Sequence, residues 1–119
     1  MSDLAERYLD IWNESDAGRR AEKIRTAWAP DGTYTDPLGA VRGHEAINAL
    51  IGAAREHFPG MTFTLAGPVD AHHDIARFTW HLAPAGATEP VVVGFDVVRT
   101  DDTGRLTAVY GFLDKVPAA

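Results

Sequence analysis

Cysteine is absent from this chain, and that absence alone removes thiolate nucleophiles, disulfides and thiolate zinc sites. Ser2 and Ser15 are the only serines, both near helix ends, which argues against a Ser-His-Asp hydrolase. Lys23 and Lys115 are the only lysines, both in polar surroundings, so a buried Schiff-base lysine is not expected. No Walker or dinucleotide glycine pattern occurs. No apolar run approaches the ~18 residues of a membrane span. The opening Met1-Ser2-Asp3 is not a basic-then-apolar leader, so a cytoplasmic location and no membrane partner are expected. A net charge of -6 speaks against nucleic acid. What remains is carboxylate, tyrosine and histidine chemistry.

Within the 119 residues, read as one domain over 1–119, the least expected residue is Asp96. It stands inside Val91-Val92-Val93-Gly94-Phe95-Asp96-Val97-Val98, an apolar strand with one carboxylate at its centre. An ionised carboxylate taken out of water must be paired, or its pKa must rise until it is neutral. Asp96 is therefore the first candidate for a functional group. A purely structural alternative pairs it with Arg77 or a histidine.

Elsewhere the pattern is regular. Asp3 and Glu6 suggest a capping box opening a helix with Leu4, Tyr8, Ile11 and Trp12 on one face. Asp16 caps a second helix running through Ile24, Ala27 and Trp28 to Pro30-Asp31-Gly32. Gly32 to Asp36 reads as a short strand closed by Pro37. A third helix follows Gly43, carries Ile47, Leu50, Ile51, Ala54 and Phe58, and stops at Pro59-Gly60. Strands are expected over 61–66, 75–82, 91–100 and 105–116, the last two joined by the turn Asp101-Asp102-Thr103-Gly104. The order ααβαββββ implies an α+β fold with helices on one face of a curved antiparallel sheet. Val93, Phe95 and Val97 make the other face apolar as well, so a homodimer is expected to cover it.

Four segments stand in order: Arg7-Tyr8-Leu9, the run Ala29-Pro30-Asp31-Gly32-Thr33-Tyr34-Thr35-Asp36-Pro37, then Arg42-Gly43-His44-Glu45-Ala46-Ile47, and the final strand pair from Gly94-Phe95-Asp96 to Gly111-Phe112-Leu113-Asp114. Together they resemble the NTF2-like superfamily, the SnoaL-like or ketosteroid-isomerase-like proteins. The resemblance implies a cone-shaped fold, its curved sheet and three N-terminal helices enclosing a deep apolar pocket. It also implies roles. Asp36, in Asp36-Pro37, matches the general base of the ketosteroid isomerases, and Tyr8, in Arg7-Tyr8, matches their oxyanion-hole tyrosine. Asp96, eight residues before Gly104, matches their second oxyanion donor, an aspartic acid held neutral. Ile51 stands near a pocket tyrosine of that family, and Val98 replaces a pocket phenylalanine. The fold and the three polar positions are retained.

The expected ligand is a small, largely apolar carbonyl compound, handled without metal or cofactor. Asp36 would be the base, with Tyr8 and Asp96 as donors to the enolate oxygen, in an isomerase or a polyketide-cyclase-like enzyme. Epoxide hydrolase or dehydratase chemistry, and a binding domain with no turnover, stand as alternatives. Each residue also has a plainer role: Asp36 as a turn former, Tyr8 as a core aromatic. Trp12, Trp28 and Trp80 are core packing by default but are candidates for the pocket wall, with Ile51, Phe58, Val98 and Leu113. His72-His73-Asp74 looks metal-like, but adjacent strand residues face opposite ways, and a solvated turn fits better. His44, at the start of the third helix, is read as a cap or rim residue, and His81 as an interface or surface residue.

Overall fold

Leu4, Tyr8, Ile11 and Trp12 recur at helical spacing, and burying that stripe holds the first helix, α1 (Ser2–Asn13), against the rest of the chain. The helix starts two residues earlier than the capping-box reading implied, so Asp3 lies within its first turn. The computed structural model describes residues 2–117. After α1 come α2 (Ala17–Ala27), β1 (Trp28–Asp36), β2 (Gly39–Arg42), α3 (His44–His57), β3 (Met61–Leu65), β4 (Asp70–His72), β5 (Ile75–Pro84), β6 (Val92–Thr100) and β7 (Leu106–Lys115). Asp16 caps α2 as expected, its carboxylate accepting the Arg19 amide at 2.8 Å.

Trp28 opens β1 and is not the end of α2. The strand absorbs Pro30 through an irregularity between Trp28 and Thr33, where its pairing with β7 shifts. The His44 ring nitrogen Nε2 lies 3.0 Å from the Trp28 carbonyl and 3.1 Å from that of Ala29, tying the start of α3 to this irregular stretch. Pro37 closes β1 at Asp36 as expected, but the chain does not leave the sheet there. Pro37-Leu38 is a two-residue hairpin turn, and the four-residue β2 returns beside β1. Too short to show alternation, β2 left no trace in the periodicity, and the three-residue β4 likewise escaped notice.

The sheet is curved and unclosed, in the order β2-β1-β7-β6-β5-β3, with β4 paired to β5. It is mixed where a wholly antiparallel one was expected. β1 runs parallel to β7, because the chain reaches β7 from β1 only by a long crossover through α3 and the intervening strands, not by a hairpin. Three helices and the inward side chains enclose the core, and α+β with a cone-like curvature is the observed architecture.

Arg20 is the one strongly buried cation among the described residues. It donates to Asn48 and to the Glu14 carbonyl and so locks α2 onto α3. The outer face of the sheet keeps Phe112 and Tyr110 about half exposed, with the Phe95 ring 6.1 Å from that of Phe112. No helix among the described residues is long and apolar enough to cross a membrane.

Candidate active site

Strand parity sends Val92, Gly94, Asp96 and Val98 of β6 inward, and Asp96 is only 2% exposed. Its neighbour across the sheet is Gly111 of β7. On the far side of β7, the parallel register brings Thr35 beside Tyr110, which sets Asp36 next to Gly111. A Cβ on Gly111 would lie 2.8 Å from Asp96 Oδ1, 3.4 Å from the Asp36 Cβ and 3.4 Å from the Tyr34 hydroxyl. Two carboxylates and a phenol therefore surround a position that has no side chain. A side chain at 111 would press on Asp96 Oδ1, so the glycine is what lets these groups come together.

Asp96 Oδ2 accepts the indole N–H of Trp80 at 3.2 Å. Trp80 reaches it by lying flat across Gly94, its cross-strand partner, where a Cβ would come within 1.9 Å of the ring. Any larger residue at 94 would expel the indole. Burial pushes the Asp96 carboxyl up to about 7, the nearby Tyr8 hydroxyl and the Trp80 N–H pull it down, and the charge of Asp36 adds a smaller upward push. Tyr8 is held close to it, yet neither its hydroxyl nor Asp96 Oδ1 completes a hydrogen bond within the protein. The Tyr8 hydroxyl is itself driven well above its ordinary value, first by burial and then by the charge of Asp96, so it stays protonated and able to donate.

Asp36 is half-buried and lies at the end of β1. Its Oδ1 accepts the amides of Leu38 and Gly39 at 2.8 and 3.0 Å, and its Oδ2 accepts the Tyr34 hydroxyl at 2.8 Å. The turn-forming and pocket-facing readings of Asp36 thus hold together. One oxygen builds the hairpin, and the other faces Tyr34 with a lone pair to spare. The Tyr34 hydroxyl is raised by burial above all, and by the charges of Asp96 and Asp36.

Beside these groups opens a pocket of about 390 Å³ whose walls include Trp12, Tyr34, Asp36, Phe58, Phe63, Trp80, Leu82, Val92 and Leu113. His57, an exposed residue at the end of α3, stands at the same pocket. A smaller space of about 10 Å³ adjoins it, sharing Trp12, Tyr34, Phe63 and Trp80, and is completed by Tyr8, Leu9 and Asp96.

Residues 5–109 match the SnoaL-like domain family. The chain belongs to that family. A curated relative, the steroid Δ-isomerase of Nocardioides simplex, is 33% identical over 109 residues, which is 89% of this chain and 83% of that one. Among solved structures, a protein of Agrobacterium tumefaciens provisionally named an isomerase of the SnoaL-like family superposes with a TM-score of 0.89. It is 43% identical, and the match covers 94% of this chain and 95% of that one. A protein of Jannaschia provisionally named a SnoaL-like polyketide cyclase gives 0.72 at 18% identity over 95% and 86% of the two chains, a likeness of fold.

Within this SnoaL-like domain, Tyr8, Asp36 and Asp96 converge on adjoining spaces, and Trp12, Phe58, Trp80 and Leu113 stand on the pocket wall. Trp28, Ile51 and Val98 do not line it. They are at most 1% exposed within the solid part of the core, Trp28 packed behind Tyr8 with ring centres 6.4 Å apart. The pairing of Asp96 with Arg77 also fails, since Arg77 points outward to Asp70. His72 ends β4 and His73 sits in the following turn with φ 53, and no metal-holding cluster of His, Cys, Asp or Glu occurs among the described residues. Tyr34, Gly94 and Gly111 escaped the sequence reading. Their one signal was that a Gly inside an aliphatic strand marks a close approach by another group.

Proposed function

We propose that this SnoaL-like domain binds a small, largely apolar carbonyl compound in the 390 Å³ pocket and moves a proton within it, without a cofactor. The observation that carries this reading is the pair of carboxylates flanking Gly111 in different environments. Asp36 accepts three hydrogen bonds, as an ionised base does. Asp96 is buried, and with its carboxyl pushed up to about 7 it keeps a large protonated share at neutral pH. Trp80 marks Oδ2 as its accepting oxygen, which leaves the acid proton on Oδ1.

In this scheme Asp36 Oδ2 takes a proton from the carbon next to the ligand carbonyl. The electron pair moves onto the carbonyl oxygen, which accepts hydrogen bonds from the Tyr8 hydroxyl and Asp96. Returning that proton to another carbon of the enolate shifts the double bond, so reactant and product have the same atoms. Attack of the carbanion on a second carbonyl of the same molecule would give the cyclase variant. The isomerase branch is favoured by the steroid isomerase relative, the cyclase branch only by fold.

The test is solvent exchange. A 3-oxo steroid and smaller cyclic enones, incubated with the protein in deuterated buffer, should lose their α-proton NMR signals. Binding without exchange would make this a carrier, and labelled oxygen entering a diol from water would make it a hydrolase. We also propose a homodimer formed through Tyr110 and Phe112 of the outer face, and sedimentation as a monomer at micromolar concentration would remove that part.

A further inference from the structure

We propose that Trp12 is a third donor to the ligand oxygen, its Nε1–H joining the Tyr8 hydroxyl and the Asp96 carboxyl at the blind end of the pocket. This deepens the carbonyl reading above and rests on it. Among the described residues, four buried side-chain polar atoms have no partner: Tyr8 Oη, Trp12 Nε1, Trp28 Nε1 and Asp96 Oδ1. Buried polar atoms are almost always satisfied, so such a set needs a reason. Three of the four belong to residues lining the same space of about 10 Å³, room for a single oxygen atom. Trp28 alone lies away from it.

The other polar hydrogens nearby are committed. Trp80 donates to Asp96 Oδ2 and Tyr34 to Asp36 Oδ2. Trp12 therefore carries the one indole N–H on the pocket wall that completes no hydrogen bond, although it lies near enough to the Tyr8 hydroxyl to pull that group's pKa down. An indole N–H donates and never accepts, which suits an oxygen that gains negative charge. Helix periodicity supplies the placement, because Tyr8 and Trp12 are one turn apart on α1 and face the same way.

The last turn of α1 is also fixed from several sides. Arg55 donates to the Trp12 carbonyl at 2.8 Å, and Asn13 exchanges two hydrogen bonds with the Phe63 backbone at 2.9 and 2.7 Å. The Trp12 ring packs 5.5 Å from that of Tyr34 and 5.4 Å from that of Phe63. A donor held this way needs no rearrangement when charge develops.

The experiment compares 4-nitrophenol, whose oxygen mimics an enolate, with 4-nitrotoluene, which has the same ring and no hydroxyl. The Trp12 indole proton, assigned by its loss in Trp12→Phe, should move downfield with 4-nitrophenol and stay put with 4-nitrotoluene. Trp12→Phe should weaken 4-nitrophenol about tenfold more than it weakens 4-nitrotoluene. Equal weakening of both ligands would reduce Trp12 to packing and overturn the proposal. If Tyr8→Phe weakens 4-nitrophenol and Trp12→Phe does not, the third donor falls while the carbonyl reading stands. If neither substitution distinguishes the two ligands, both fall. Should Trp12→Phe fail to fold, the indole shift in the unaltered protein, with its resonance assigned by Trp28→Phe and Trp80→Phe, decides the matter.

Discussion

Asp36→Asn is expected to slow α-proton exchange by roughly 10³- to 10⁴-fold while ligand affinity changes little. The substitution is informative because Asp36 does two jobs. An asparagine oxygen can still accept the amides of Leu38 and Gly39, so the hairpin between β1 and β2 survives. Tyr34 can turn its hydroxyl to accept from the new amide group. What disappears is a side chain able to take up a proton. Full exchange activity in Asp36→Asn would show that this carboxylate serves the turn alone. A loss of stability matching the loss of activity would point to the same conclusion, and a urea titration of the variant separates the cases.

The second large effect is thermodynamic. Asp96 titrates at about 7 in the folded protein against 3.8 for an ordinary aspartate. Between those values the native protein holds a proton that the unfolded chain has released. The contribution of Asp96 is therefore most favourable below about pH 4, falls as pH rises, and levels off above 7. Each pH unit in that window is worth about 1.4 kcal/mol, giving a loss of about 4 kcal/mol. Asn at 96 is neutral at every pH and can still accept from Trp80, so Asp96→Asn should escape the loss. Glu14 and Asp101 shift the opposite way, as carboxylates lowered first of all by hydrogen bonds from Lys23 and Thr103, but they act equally in both proteins. The difference between the two is thus the quantity to measure. Urea unfolding should give similar stabilities near pH 4 and a variant about 4 kcal/mol the more stable at pH 8. Parallel pH profiles would mean that Asp96 is ionised and paired in the native state.

Much of this architecture was legible in the chain because burial writes a period into it. The stripe of α1, the spacing of α3 and the alternation of β5 and β6 each name an element and its inward face. Asp96 was legible for a related reason, as a polar residue where the pattern demands an apolar one. The short strands β2 and β4 were not, since four and three residues hold too little alternation to register. The parallel seam between β1 and β7 was hidden for another reason, since strand direction depends on how distant segments meet and not on local composition. Trp28, Ile51 and Val98 show the same limit from the other side. Their hydrophobicity placed them inside, but only three-dimensional packing separates a solid core from the wall of a cavity. Gly111 signalled only that some group comes close to the strand there, and which groups gather around it depends on the pairing of distant strands.

The seam between the first strand and the last has a consequence for how such a site comes into being. Asp36 and Asp96 lie about half the chain apart, and they become neighbours only when β1 docks beside β7. Closing so long a loop is entropically costly, and no local helix or hairpin can bring the two together beforehand. The arrangement of these carboxylates is thus a property of the finished topology, present only once the sheet is.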